Sequence, residues 1–317
     1  MTAADRLDRE RIVRTLTFWL RPAFVLRTLN RFQRVAGFDR AIALASSAFT
    51  ALVPLAIVLS AILPRTNATH AAQTIINRYG LTGGGARAVK DLLSPAGGTN
   101  TSVSVVGAAL LMIAVLSFSR GMQRLFEQTW ELKPLGVRNT VNNLLWIGVL
   151  VCYVAVSWWI HALVDRGRVQ IASNLLLLPA SATFLALSGW LLSAKRIARA
   201  RLAPLAILGP VLLAIYATAA GIYLPHLFSS YASRYGVIGA VLAMISALFA
   251  FMVVLVASAA IAREVSNELD RIRSGERPPD DEIKREWHAL LDELRLRWQS
   301  LREQIDRRRN KDGQHDR

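Results

Sequence analysis

Six stretches of this chain run for more than twenty residues without an Asp, Glu, Lys or Arg: Ala41–Pro64, Leu92–Ser119, Asn139–Leu163, Val169–Ala194, Leu202–Ser233 and Tyr235–Ala262. A bilayer core roughly 30 Å thick is crossed by about 20 helical residues rising about 1.5 Å each. A charge at mid-membrane costs roughly 2.5–3.5 kcal/mol on insertion scales. Six gaps of this length in a chain with 38 basic and 22 acidic residues do not arise by chance. Buried helices of soluble proteins rarely stay apolar for so long without a polar face. The sequence therefore predicts an all-α membrane protein, a bundle of six transmembrane helices. Trimmed to their apolar parts, the spans are expected at 41–63, 102–119, 143–164, 172–193, 203–224 and 237–262. Open strands are excluded, because lipid offers no partner for unpaired backbone groups. The ten-residue alternation of a membrane barrel is missing as well.

Basic residues then set the orientation. With the N-terminus inside, the cytoplasmic segments carry nine, four, four and fourteen Lys/Arg, and the outer loops carry four, two and one. The positive-inside rule favours this arrangement, 31 against seven, with both termini in the cytoplasm and the protein in the inner membrane. The net charge of +16 gathers on one face and suits anionic headgroups there. No nucleic-acid partner is expected, since neither a binding motif nor an aromatic platform accompanies the charge. The first apolar block is too long for a signal h-region and is expected to stay as an uncleaved anchor. The single cysteine, Cys152, lies mid-helix and has no partner for an internal disulfide.

Three regions follow: a basic amphipathic cytoplasmic segment over 1–40, the transmembrane domain over 41–262 and a cytoplasmic tail over 263–317. In the first, Val13–Phe32 mixes Trp19, Phe24 and Leu29 with Arg14, Arg21, Arg27 and Arg31, a pattern that lies in the membrane interface or packs on the bundle. Pro22 divides it. The outer loop Arg65–Thr101 is expected to hold two short helices around a triple-glycine turn at Gly83–Gly85; without a Gly-Lys-Ser/Thr ending, that turn is no phosphate loop. In the tail, Trp287, Leu291, Leu294, Trp298, Leu301 and Ile305 form a heptad seam within a helix expected over 280–306. An amphipathic helix and a coil for homo-oligomerisation both fit that seam.

Three segments resemble the YihY/BrkB family of bacterial envelope membrane proteins, over roughly residues 30–268. They are Ser46-Ser47-Ala48-Phe49-Thr50-Ala51-Leu52-Val53-Pro54, the run from Ser119-Arg120-Gly121 to Gln128-Thr129-Trp130, and Tyr231-Ala232-Ser233-Arg234-Tyr235-Gly236-Val237-Ile238-Gly239-Ala240. The last is similar to the family's Tyr-Gly-x-x-Gly at the start of the final helix. Where the family has Gly-Ala-Glu, this chain has Ile261-Ala262-Arg263-Glu264, and Phe249 or Phe251 stands in place of a tryptophan. The resemblance implies a role in envelope integrity, with transport of lipid or another envelope component. Some family members have carried a ribonuclease label.

The residues themselves give that label no support. A nuclease clusters carboxylates around its metals, whereas the acidic residues here lie in loops and tails. His70, His161, His226, His288 and His315 have no ligand spacing. The expectation is a protein that is no enzyme, with no cofactor and no metal. Candidate positions are milder. Ser46 and Thr50 share a helix face and are placed to bond a neighbouring helix. Pro54 and Pro210 each remove a backbone bond mid-helix. Tyr235, Gly236 and Gly239 begin the last span. Arg120, Arg124 and Glu127 share one face beyond the second span, where Arg124 is placed to pair with Glu127 and the arginines to meet lipid phosphates. The rival to transport is a membrane scaffold acting through the cytoplasmic coil.

Overall fold

The computed structural model describes residues 17–62, 101–164, 170–276 and 281–289, with a few single positions elsewhere (15, 73, 76, 86, 87, 90, 279, 291, 292, 295 and 299). Most of the triple-glycine loop and of the heptad seam lies outside these residues. Among the described residues every regular element is helical. A 3-10 turn, Phe18–Leu20, leads to α1 (Pro22–Arg34), whose first residue is proline, in the first turn where a missing N–H costs no intrahelical bond. Then come α2 (Gly37–Ile62), α3 (Thr101–Thr129), α4 (Thr140–Val164) and α5 (Gln170–Leu192). The run Arg199–Ser274 is two helices, α6 (Arg199–Gly236) and α7 (Ile238–Ser274), joined at Gly236. There φ is 59° and ψ is −134°, a conformation that only glycine adopts without strain.

The described chain forms two units, one drawn from residues before Gly37 together with those from Glu264 on, the other comprising Gly37–Arg263. In the second unit α2 packs along α3 and α4 along α5, with α3 also touching α4 and α5. Polar bonds tie neighbouring helices. Trp146 Nε1 donates to Ser188 Oγ at 2.8 Å, and Tyr153 shares a 2.9 Å bond with Ser181 while stacking on Phe184. Tyr216 donates to the Ala247 carbonyl at 2.7 Å, joining α6 to α7. Glycines let α5 and α6 approach closely: a Cβ on Gly209 would stand 2.5 Å from Leu185 Cδ1, and one on Gly189 2.6 Å from Leu202 Cδ2.

Four helical stretches are long and apolar enough to cross a membrane: Val105–Thr129, Thr140–Ile160, Arg199–Gly236 and Ile238–Ser274. Counting Pro22–Arg34 with Gly37–Leu52 as one broken span makes five. The other expected spans, 41–63 and 172–193, are helical but fall short of that standard over the described residues. The apolar helix in α5 is Leu176–Leu192, under a full crossing. Several helices run past their expected ends. α3 continues beyond 119 to Thr129 and α7 beyond 262 to Ser274, because charged residues leave the membrane without having to leave the helix. The turn expected between 224 and 237 is helical up to Gly236.

Replacing Gly209 by Leu should force α5 and α6 apart. Overpacking costs about 1–3 kcal/mol, so the detergent-solubilised variant should melt measurably below the native protein by fluorescence-monitored unfolding.

Candidate functional site

Polar chemistry concentrates in two places, one in each unit. In the second unit it centres on Glu127, near the C-terminal end of α3. The residue is 2% exposed. Its Oε1 accepts hydrogen bonds from Gln123 Nε2 at 2.9 Å, the Leu135 backbone N–H at 3.1 Å and Arg196 at 3.2 Å. Gln123 Oε1 in turn accepts from Asn143 Nδ2 of α4 at 3.0 Å. Arg196, between α5 and α6, also donates to the Lys133 carbonyl at 2.7 Å and the Ser193 carbonyl at 2.9 Å. Asn139 Nδ2 reaches the Leu192 carbonyl at 3.0 Å. One carboxylate thus fastens the α3–α4 connection to the α5–α6 connection. A buried carboxylate is tolerable because a guanidinium and two neutral donors stabilise its charge.

Helical spacing pairs Glu127 with Arg124. The structure turns Glu127 into the bundle, to Arg196, and leaves Arg120 and Arg124 exposed on α3. Residues three apart on a helix are neighbours only if both side chains face the same medium, and Glu127 faces inward.

In the first unit, arginines of α1 meet carboxylates of the last turns of α7 and of the helical stretch 282–289. Arg27 contacts three of them: Glu264 at 3.7 Å, Glu268 at 2.8 Å, and Glu282. Arg31 pairs with Glu264, and Arg271 with Glu282 at 2.8 Å. Asn30 donates to the Glu286 carboxylate at 2.6 Å and to its carbonyl at 2.9 Å. Among the described residues no group of three or more His, Cys, Asp or Glu is placed to hold a metal ion; these carboxylates face guanidinium groups. Burial alone would raise the Glu282 pKa. Hydrogen bonds from Arg271 and Arg27 and the charges of both outweigh it, holding the carboxyl below its ordinary 4.5. Arg271 is pushed up against its burial by the hydrogen bond and charge of Glu282.

α1 turns one polar face inward and leaves apolar side chains outside. Asn30 and Arg31 are buried, while Val25 and Leu29 are exposed. A sequence signal for this pairing exists. Arg27 and Arg31 are spaced i, i+4, as are Glu264 and Glu268, so two helix faces of opposite charge match in register.

The remaining candidates are separate from both networks. Ser46 is exposed, and Thr50 donates to the Ser46 carbonyl of its own helix at 2.9 Å, not across to a neighbour. Pro54 and Pro210 are buried within α2 and α6. Tyr235 is exposed beside Tyr231, Gly236 forms the break, and Gly239 is buried at the start of α7.

An all-helical chain with several span-capable helices and ionic networks beyond their apolar lengths defines a membrane protein. The sequence model of the family described as "Virulence factor BrkB" matches residues 28–283, and the chain belongs to that family. No curated protein and no solved structure matches it.

Arg27→Ala should leave Glu264, Glu268 and Glu282 without their shared cation. Breaking a buried pair costs about 3–5 kcal/mol, so limited proteolysis should cut at 275–281 many-fold faster than in the native protein. A pH dependence follows from Glu282. A carboxyl whose pKa is depressed on folding stabilises at pH above its unfolded value. That contribution declines as pH falls from 4.5 through the lower folded pKa. Protease sensitivity at the same site should therefore rise below pH 4.5 and stay flat between pH 6 and 8.

Proposed function

We propose that this is a six-span protein of the cytoplasmic membrane, with both termini inside, that serves envelope integrity by moving lipid or another amphiphile and catalyses no chemical reaction. The observation that carries this reading is where the apolar and ionic groups lie. Large apolar side chains project outward along the helices: Ile113 is 65% exposed, Val151 62%, Ile215 61% and Ile222 72%. Water would make such a surface aggregate, and lipid covers it without cost. The six apolar stretches contain no carboxylate, lysine or arginine. A carboxylate relay for proton coupling thus has no residues to run on, which favours movement of an apolar-tailed cargo. Exposed Trp158, Trp159, Tyr223 and Tyr235 suit the interfacial level on the outer side.

The scaffold reading has one observation of its own. Ile283 and Trp287 are exposed one turn apart on the 282–289 stretch, at the start of the heptad seam.

The purified protein in liposomes should speed transbilayer movement of labelled phospholipid over protein-free vesicles. Unchanged rates for lipids and solutes under every gradient tried would rule out transport. Deleting 280–317 separates the rivals: a transporter keeps most of its activity, and a scaffold loses oligomerisation and function together. A nuclease activity that survives rigorous purification and is abolished by a point mutation would sink the non-enzymatic reading.

A further inference from the structure

The connection between α5 and α6 holds two cations on one indole ring. The two helices run antiparallel, since Gly189 faces Leu202 and Gly209 faces Leu185. Their connection turns through Ala194 and Lys195, at φ 55° and 63°, and the Lys195 N–H donates to the Trp190 carbonyl at 2.8 Å. Arg196 reaches Glu127 and the Lys133 carbonyl, which fixes the connection in place. Lys195 and Arg199 instead reach Trp190. Lys195 Nζ lies 5.0 Å from the centroid of the Trp190 ring, and Arg199 Cζ lies 4.8 Å from the same centroid. The two charges are therefore within about 10 Å of each other. Both residues are exposed, and among the described residues neither forms an ion pair.

Sequence position adds a second constraint. Trp190 stands near the end of the apolar helix Leu176–Leu192, and Leu202 opens the next apolar stretch. Indoles favour the membrane interface, so the cations between these two stretches lie at headgroup depth. A cation over an aromatic face keeps its other N–H groups turned away from the ring, where they can meet an acceptor. Like charges held this close repel each other, and an oxyanion that reaches both turns the repulsion into two attractions. The fork of arginine and the ammonium of lysine both suit phosphate oxygens. The indole adds an apolar surface at the depth of a lipid's glycerol, and inorganic phosphate has nothing to place there.

We propose that Lys195, Arg199 and Trp190 form a headgroup site for an anionic phospholipid of the cytoplasmic leaflet. The two cations hold its phosphodiester, and the indole covers its glycerol. The site rests on the membrane placement proposed for the chain and does not require that the chain move lipid.

The test uses the full-length protein in neutral detergent, titrated with dioctanoyl phosphatidylglycerol, dioctanoyl phosphatidylcholine or inorganic phosphate, with binding read by thermal shift. Phosphatidylglycerol should stabilise the native protein at lower concentration than phosphatidylcholine or inorganic phosphate. K195Q/R199Q should weaken that binding about tenfold or more, as expected for loss of charged hydrogen bonds. W190L, which leaves the charge unchanged, should weaken it several-fold. R120Q/R124Q removes two charges at other exposed positions and should leave it unaltered. Equal binding by the native protein and K195Q/R199Q, undiminished binding by W190L, or an equal loss in R120Q/R124Q overturns the proposal. Inorganic phosphate that binds as tightly as phosphatidylglycerol overturns the assignment to lipid. Should the double variant be polydisperse, K195Q, at an exposed position, carries the same comparison. Binding that depends on Lys195 and Arg199 in a protein that moves no lipid in liposomes would defeat the transport reading and leave the site standing. Transport that persists with no preference for phosphatidylglycerol would do the reverse.

Discussion

A peptide group placed in hydrocarbon has no water to turn to, so it must bond within its own helix or to a neighbour inside the protein. Much of this structure follows from that constraint. It makes the described elements helices, keeps them long, and tolerates prolines such as Pro54 and Pro210 inside them with the dihedrals still helical around Pro210. It also explains why the one non-helical residue in the run from Arg199 to Ser274 is a glycine. Hydroxyls in the apolar lengths obey the same rule. Ser47, Thr50, Thr183 and Ser246 each return their proton to a carbonyl four residues back.

Ionic groups are subject to the complementary constraint. They are excluded from the apolar lengths and gather beyond them, where burial is possible if every charge finds an opposite one. Glu127 with Arg196, and Arg27 with its three carboxylates, are two solutions to that requirement. Each ties together segments far apart in sequence. Glu127 joins two helix connections, and Arg27 joins α1 to residues more than 230 positions later. Each network holds a helix end against a segment distant in sequence.

The residues show plainly why some features were legible beforehand. The positions of the apolar helices could be read because twenty uncharged residues in a row have one stable environment. Pro22 could be read as a division because proline favours the first turn of a helix, where its missing N–H has no intrahelical partner to lose. The partners of Glu127 could not. Arg124, three residues away, satisfies every local rule for pairing, yet the side chain rotates inward to Arg196, which is 69 residues distant. Thr50 is likewise placed by its helix face for a cross-helix bond, yet its hydroxyl donates to a carbonyl one turn back in its own helix. α1 read as a basic amphipathic strip, and its arginines in fact face carboxylates of the same unit.

Membership of the chain in the helical membrane class was determined by sequence alone, because the cost of putting charge or unpaired backbone in hydrocarbon is local and adds along the chain. Which charges pair was decided by tertiary structure. A salt bridge depends on the distance between two side chains, and that distance is set by how α1, α3 and the connections after α3 and α5 pack within their own units. A guanidinium meets whichever carboxylate the fold delivers, and spacing along one helix does not reveal which that will be.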